Sequence, residues 1–172
     1  MALHPLEPLS TDEFDVVRIA LRRDAGVTDS FRFCSVELVE PPKALVLAWE
    51  PGQPFPRLAL AVLWDRASSR TFEGVVDVAA DSVASFTHMP DVTPNFTVDE
   101  WHECDNALRE NPQVIAAMAA RGYTELDLCF FDVWTYGKAV MPPQYADRRL
   151  GWADVWRRDT PAATRTPTRS RA

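Results

Sequence analysis

Leu9-Ser10-Thr11-Asp12-Glu13-Phe14 and Phe96-Thr97-Val98-Asp99-Glu100-Trp101 carry one pattern at two places in the chain. In each, a hydroxyl residue stands three positions before a glutamate, the spacing of a capping box. The hydroxyl and the carboxylate then each satisfy an orphan backbone N–H at a helix start. Leu9 with Phe14, and Phe96 with Trp101, stand where a hydrophobic staple would fix the entry of the chain. Two helix starts of one kind, each followed by strand-like sequence, predict two units built to the same plan.

In the first unit, Phe14, Val17 and Leu21 recur at helical spacing while Arg18 and Arg22 face away. Gly26 can take the left-handed conformation that stops a helix, so the helix is expected from about Thr11 to Ala25. Strands follow. Phe31 to Glu40 is aromatic and β-branched and ends at Pro41-Pro42. Ala44 to Glu50 is expected as a strand closed by Pro51-Gly52. Arg57 to Asp65 is apolar on both faces, as a central strand would be. Arg66-Ala67-Ser68-Ser69 reads as a hairpin turn, and Arg70 to Ala79 and Ser82 to Met89 form a meander around Ala80-Asp81. The expectation for residues 3–90 is one helix covering one face of about five antiparallel strands, an α+β unit.

Asp91 to Phe96 is a linker, and the second unit is expected over residues 96–158. Trp101, Cys104 and Leu108 give its helix an apolar stripe. Asn111-Pro112 restarts the helix, since Asn caps and Pro is tolerated at the first position. Val114, Ile115 and Met118 extend the apolar face until Gly122. Leu126 to Trp134 and Arg148 to Trp156 read as strands joined by a loop from Thr135 to Asp147. Two strands seldom close a core. The unit is therefore expected to be incomplete, leaving Trp134, Trp152 and Trp156 short of cover. Its open edge predicts self-association. Residues 159–172 carry no large apolar side chain and are expected to be a disordered tail.

Composition narrows the function classes. Hydrophobic residues at 47% and charged residues at 25% exclude disorder for most of the chain. The run from Leu58 to Trp64 is far short of the ~20 apolar residues of a membrane helix. Glu7, Asp12, Glu13 and Asp15 are unlike a secretory signal, so the expected compartment is cytoplasmic. A net charge of −7 makes nucleic acid and anionic membranes poor partners. Five Arg and one Asp fall between Arg157 and Ala172, so the remainder is more acidic still.

No motif for catalysis is present. His4, His88 and His102 are not spaced as metal ligands and are read as surface or capping residues. Cys34, Cys104 and Cys129 form no CxxC pair and are read as buried thiols. Asp99, Glu100, Glu103 and Asp105 crowd a helix start, where carboxylates complement the helix dipole. There is no G-x-S-x-G and no glycine-rich phosphate loop. No residue is assigned a catalytic, cofactor-binding or metal-binding role.

The segment from His4 to Ser10 resembles the start of the N2 domain of copper-containing (topaquinone) primary amine oxidases. So do "FRFCSVELVEPPKALVLAWEPG" from Phe31, "DRASSRTFEGVVDV" from Asp65 and "TVDEWHECDNALRENPQVIAAMAARG" from Thr97. "RRLGWADVWRR" from Arg148 is similar to a strand of the family's N3 domain. The resemblance covers about Leu3 to Arg158. It implies two small cystatin-like units, each a helix packed on an antiparallel sheet, attached to a larger catalytic domain. Family members are homodimers that oxidise primary amines to aldehydes, releasing ammonia and hydrogen peroxide. They use copper and a topaquinone made from a tyrosine in an N-Y-D/E motif.

None of that machinery transfers by residue. Tyr123 follows Gly122, Tyr136 follows Thr135 and Tyr145 follows Gln144. The expectation is a C-terminally truncated, non-catalytic N-terminal region that is inactive by itself, holding neither copper nor quinone. The composition break at Asp159 marks the proposed truncation. The alternatives are a stand-alone α+β binding module and a subunit that docks on a separate catalytic chain.

Overall fold

A computed structural model describes residues 4–137, 143–145, 148–158, 160 and 168–169. The chain divides into two units, Met1–Pro94 and Asn95–Ala172.

The first unit opens with α1 (Thr11–Asp24). Its capping box is formed as expected: the Ser10 side chain accepts from the Glu13 N–H, and the Glu13 carboxylate accepts from the Ser10 N–H. Gly26 takes φ +68° just past the helix. β1 (Phe31–Val39), β2 (Leu58–Asp65), β3 (Arg70–Asp77) and β4 (Ser82–Met89) make an antiparallel sheet in sequence order. β2 is an inner strand, as its two-sided apolar sequence implies. The ladder shifts between Phe33 and Ser35, leaving Cys34 as the extra residue of a bulge.

Alternation along β2 turns Ala59, Ala61 and Leu63 into one core with Val17, Ala20 and Leu21 of α1 and with Val76 of β3. All seven are fully buried. Each Val or Leu there contributes ~1.5–3 kcal/mol relative to exposure. The small side chains let the helix approach closely. A Cβ on Gly74 of β3 would lie 2.7 Å from Leu21 Cδ2. Phe14 stays 43% exposed, so Val17, Ala20 and Leu21 set the buried face of α1.

One expectation fails here. Ala44 to Glu50 is not a strand; Lys43–Ala48 is a short helix, α2. Pro42 provides its first turn, and Ala44, Leu45, Leu47 and Ala48 are strong helix formers. β1 pairs directly with β2, and the segment between them lies outside the sheet. The sheet therefore has four strands where about five were expected.

The second unit contains α3 (Val98–Glu110), α4 (Pro112–Ala120), β5 (Cys129–Thr135), β6 (Gly151–Arg157) and β7 (Thr168–Arg169). Thr97 and Glu100 form the second capping box, and the Asn111 side chain caps α4 with Pro112 in its first turn. Met118 is buried, whereas Ile115 is 43% exposed. The antiparallel sheet runs β5-β6-β7, with β7 pairing only Trp156 and Arg157.

Both expected strand starts move. Leu126–Leu128 is a 3-10 turn, so β5 begins at Cys129. Arg109 holds the turn by donating to the Leu126 and Cys129 carbonyls. β6 starts at Gly151 because Arg149 is drawn to Glu100 and to the Asn95 carbonyl. Within the expected loop, Pro143–Tyr145 is a 3-10 turn, and 138–142 and 146–147 lie outside the described residues. Of the expected tail, only Thr160 and Thr168–Arg169 are among the described residues.

Candidate functional site

Each capping glutamate does a second job. In the first unit, the Arg57 guanidinium binds both Glu13 oxygens and donates to the Pro8 carbonyl. In the second, Arg149 donates to both Glu100 oxygens at 2.8 and 3.1 Å and to the Asn95 carbonyl at 2.9 Å. Pro8 and Asn95 each precede their cap by two residues. An arginine next to the sheet thus clamps the helix start in both units, by the same three bonds. The Arg57 and Arg149 side chains are only 6% and 9% exposed.

Fork-to-carboxylate pairing offsets the cost of burying the charges, and the capping bonds satisfy the remaining lone pairs. Arg57 holds the Glu13 carboxyl down at about 2, against 4.5 ordinarily. Glu100 is also lowered: burial opposes ionisation, and the bonds from Arg149 and Thr97 outweigh it. Arg109 makes a third tie, to Asp105 at 2.8 Å. Glu100 and Asp105, among the carboxylates crowded at the start of α3, therefore hold arginines in addition to facing the helix dipole. The arginines carry no motif of their own; isolated charges such as Arg57, next to an apolar strand, were the available clue.

The histidines stay apart and exposed. His4 meets Trp49 edge-on, His88 lies against Phe72 and His102 against Trp101. Cys129 is buried, and burial pushes its thiol up; Cys34 and Cys104 are half-buried. Among the described residues, no three His, Cys, Asp or Glu side chains gather as metal ligands. No helix of the described residues is long and apolar enough to cross a membrane.

Two openings are apolar. One of about 160 Å³ in the first unit is lined by Pro5, Leu45, Trp49, Phe55 and Pro56 among others. The larger, about 350 Å³, lies in the second unit, where Phe96, Val98 and Trp101 at the start of α3 face Val133, Trp134 and Thr135 of β5. The Phe96 N–H donates to Thr135 Oγ1 at 2.9 Å, and the Arg149 guanidinium stacks on the Phe96 ring. Trp134 and Trp152, which the sequence left short of cover, are 54% and 50% exposed; Trp156 is half-buried.

Residues 10–86 match the family described as the AGAO-like N2 domain. The chain is 45% identical over 157 residues to a primary amine oxidase of Arthrobacter sp. (strain P1), covering 91% of this chain and 24% of that protein. It is 35% identical to a histamine oxidase of Arthrobacter globiformis, covering 72% of this chain and 18% of that one. With copper amine oxidase 1 of Schizosaccharomyces pombe it shares 32% identity over 77% of its length. A copper-containing benzylamine oxidase from Hansenula polymorpha has the same fold over 90% of this chain, with a TM-score of 0.69 at 17% identity. The chain spans about a quarter of that structure or less of these relatives. By sequence and fold together, these 172 residues belong to the copper amine oxidase family, as the part of it that contains the N2 domain.

Proposed function

We propose that these residues form a non-catalytic scaffold of a primary amine oxidase, an N2 unit over 3–90 followed by a partial N3 unit over 96–158. The observation that carries this reading is the use of the buried charge: Arg57, Glu13, Arg149 and Glu100 are all committed to fixing helix starts. The residues do not fit copper or the quinone. His4, His88 and His102 sit on separate aromatic rings. Tyr123, Tyr136 and Tyr145 follow Gly, Thr and Gln where the quinone precursor follows Asn. Oxidation of a primary amine belongs, on this proposal, to residues outside these 172.

Copper analysis, a quinone stain and amine-dependent peroxide release on the purified chain test the reading. All three should be blank. About one copper per chain with peroxide formed from a simple alkylamine would refute it.

A second reading, as an associating module, is favoured by β6. β7 covers only Trp156 and Arg157, so the edge from Gly151 to Val155 has no described partner strand. An open edge pairs with other chains, and the expected partner is a second copy. Light scattering should give a dimer mass; a monomer at all concentrations would refute it. The compartment proposed is the cytosol, which cell fractionation checks.

A further inference from the structure

The clamp arginines open a repeat. Arg57, Leu58, Ala61, Trp64 and Arg66 of the first unit return at the same spacing in the second as Arg149, Leu150, Ala153, Trp156 and Arg158. β6 therefore stands for β2, and each is paired on one side with the strand before it. The other sides differ. β3 runs along the whole of β2, from Arg70 opposite Asp65 to Asp77 opposite Leu58. β7 puts Thr168 opposite Arg157 and Arg169 opposite Trp156, the places of Arg70 and Thr71. The places of Phe72 to Val76, along Gly151 to Val155, have no described strand.

Burial marks the same gap. Ala59, Ala61 and Leu63 are fully buried, whereas at the matching positions Gly151 and Ala153 are exposed and Val155 is half-buried. A Cβ on Gly151 would meet the Phe96 ring at 2.5 Å, so Gly151 faces the start of α3. By alternation Ala153 and Val155 share that face. They are core positions without cover. Among the described residues, Gly151 to Val155 have no hydrogen bond or ring contact outside the ladder with β5.

We propose that the β6 edge from Gly151 to Val155 receives one strand of a partner polypeptide in the place β3 takes in the first unit, with a glycine opposite Ala153. The first unit supplies the chemistry. Gly74 lies opposite Ala61 because Leu21 leaves no room for a Cβ, and Leu108 stands as far from its cap Thr97 as Leu21 does from Ser10. Phe72 opposite Leu63 and Val76 opposite Ala59 put an aromatic opposite Val155 and a valine opposite Gly151. One position changes: Glu73 lies opposite Val62, but its counterpart faces Asp154, so a basic residue belongs there. The partner segment thus reads aromatic, basic, glycine, apolar, valine. Ladder bonds to β6 supply affinity and these side chains specificity. The proposal rests on the self-association reading for the open edge alone. β6 of a second copy fits the place less well, since it offers no glycine opposite Ala153.

The test uses the full chain and the labelled, capped peptide Thr-Phe-Arg-Gly-Val-Val-Asp, followed by fluorescence anisotropy. Valine in place of the peptide's glycine should weaken binding at least about tenfold, and glutamate in place of its arginine about threefold. Ala153→Arg should abolish binding and leave the thermal melt of the free chain unchanged, because Ala153 is exposed there. Hydrogen exchange should slow at Gly151 to Val155 and stay the same in β1 to β4. Equal binding of the glycine and valine peptides would overturn the proposal, as would undiminished binding to Ala153→Arg. Changed exchange in the first unit would do so by showing displacement of β3. Binding that appears only when Thr168 to Ala172 are deleted would do so by putting the chain's own end in the partner's place. Light scattering on the same samples separates the two readings: a dimer that binds no peptide overturns this proposal alone, and a peptide-binding monomer overturns self-association alone.

Discussion

Replacing Arg57 with Met removes the clamp on α1 while keeping much of the side-chain volume. Glu13 then remains, 17% exposed, with only its capping bonds to Ser10. Removing one member of a buried pair costs ~3–5 kcal/mol. Partial exposure and the surviving capping bonds put this case near the lower end, at ~3 kcal/mol. Acid gives an independent value. The Glu13 carboxyl lies at about 2 in the folded chain and 4.5 ordinarily. A carboxyl lowered on folding stabilises fully above its unfolded value, and that contribution is lost as pH falls through the folded one. The loss should fall between about pH 4.5 and 2 and amount to at most ~3 kcal/mol. In Arg57→Met the carboxyl returns towards its ordinary range, so this part of the pH dependence should vanish. The assay is urea unfolding with pulsed hydrogen exchange, read on peptides from β2 and β3 so that the first unit is followed alone. Other lowered carboxylates, such as Asp65, titrate in both proteins and cancel in the difference. Equal stability of the two proteins at pH 7, with equal slopes below pH 4.5, would refute the clamp. The double change Glu13→Gln with Arg57→Met should cost less than the two single changes added together.

The two close-packed glycines should not tolerate a methyl. Gly74→Ala meets Leu21 Cδ2 at 2.7 Å and should cost ~1–3 kcal/mol in a urea melt. Gly151→Ala should cost more than Gly74→Ala, because its Cβ meets the Trp134 carbonyl at 2.9 Å as well as the Phe96 ring, and backbone yields less than a side chain. Ser10→Ala removes a cap and should cost ~1 kcal/mol, seen as faster exchange in the first turn of α1. Cys129, buried and with its thiol raised, should be the last cysteine alkylated by iodoacetamide at neutral pH, as followed by mass spectrometry.

What the sequence made legible was local. Ser10 with Glu13 and Thr97 with Glu100 fix helix starts through residues three apart, and both starts are where the spacing puts them. β2 could be placed inside its sheet because its own residues are apolar on both faces. Ala44 to Glu50 misled because a short apolar run suits a strand or a helix equally. The arginine clamps were hidden for a different reason. Arg57 finds Glu13 across 44 residues and Arg149 finds Glu100 across 49, and no periodicity reports such a meeting. The Asp132–Asp154 pair likewise exists only once β5 and β6 are in register.

The distribution of charge separates the groups that hold the scaffold from those that do not. A group that reacts must be free to gain or lose a proton or a bond. Arg57 and Arg149 are each tied by two carboxylate oxygens and a carbonyl, and Arg109 by Asp105 and two carbonyls. Moving any of them would cost helix starts or the turn before β5, so they are suited to holding shape and unsuited to turnover. Asp132 and Asp154 are held by nothing among the described residues, and they lie on a half-exposed strand face beside two indoles. Keeping like charges opposite each other lowers the stability of the free sheet. The same electrostatics make the stability of the sheet sensitive to ionic strength: raising the salt concentration should stabilise the second unit in a thermal melt, and a melt that does not move with salt would refute the repulsion between Asp132 and Asp154.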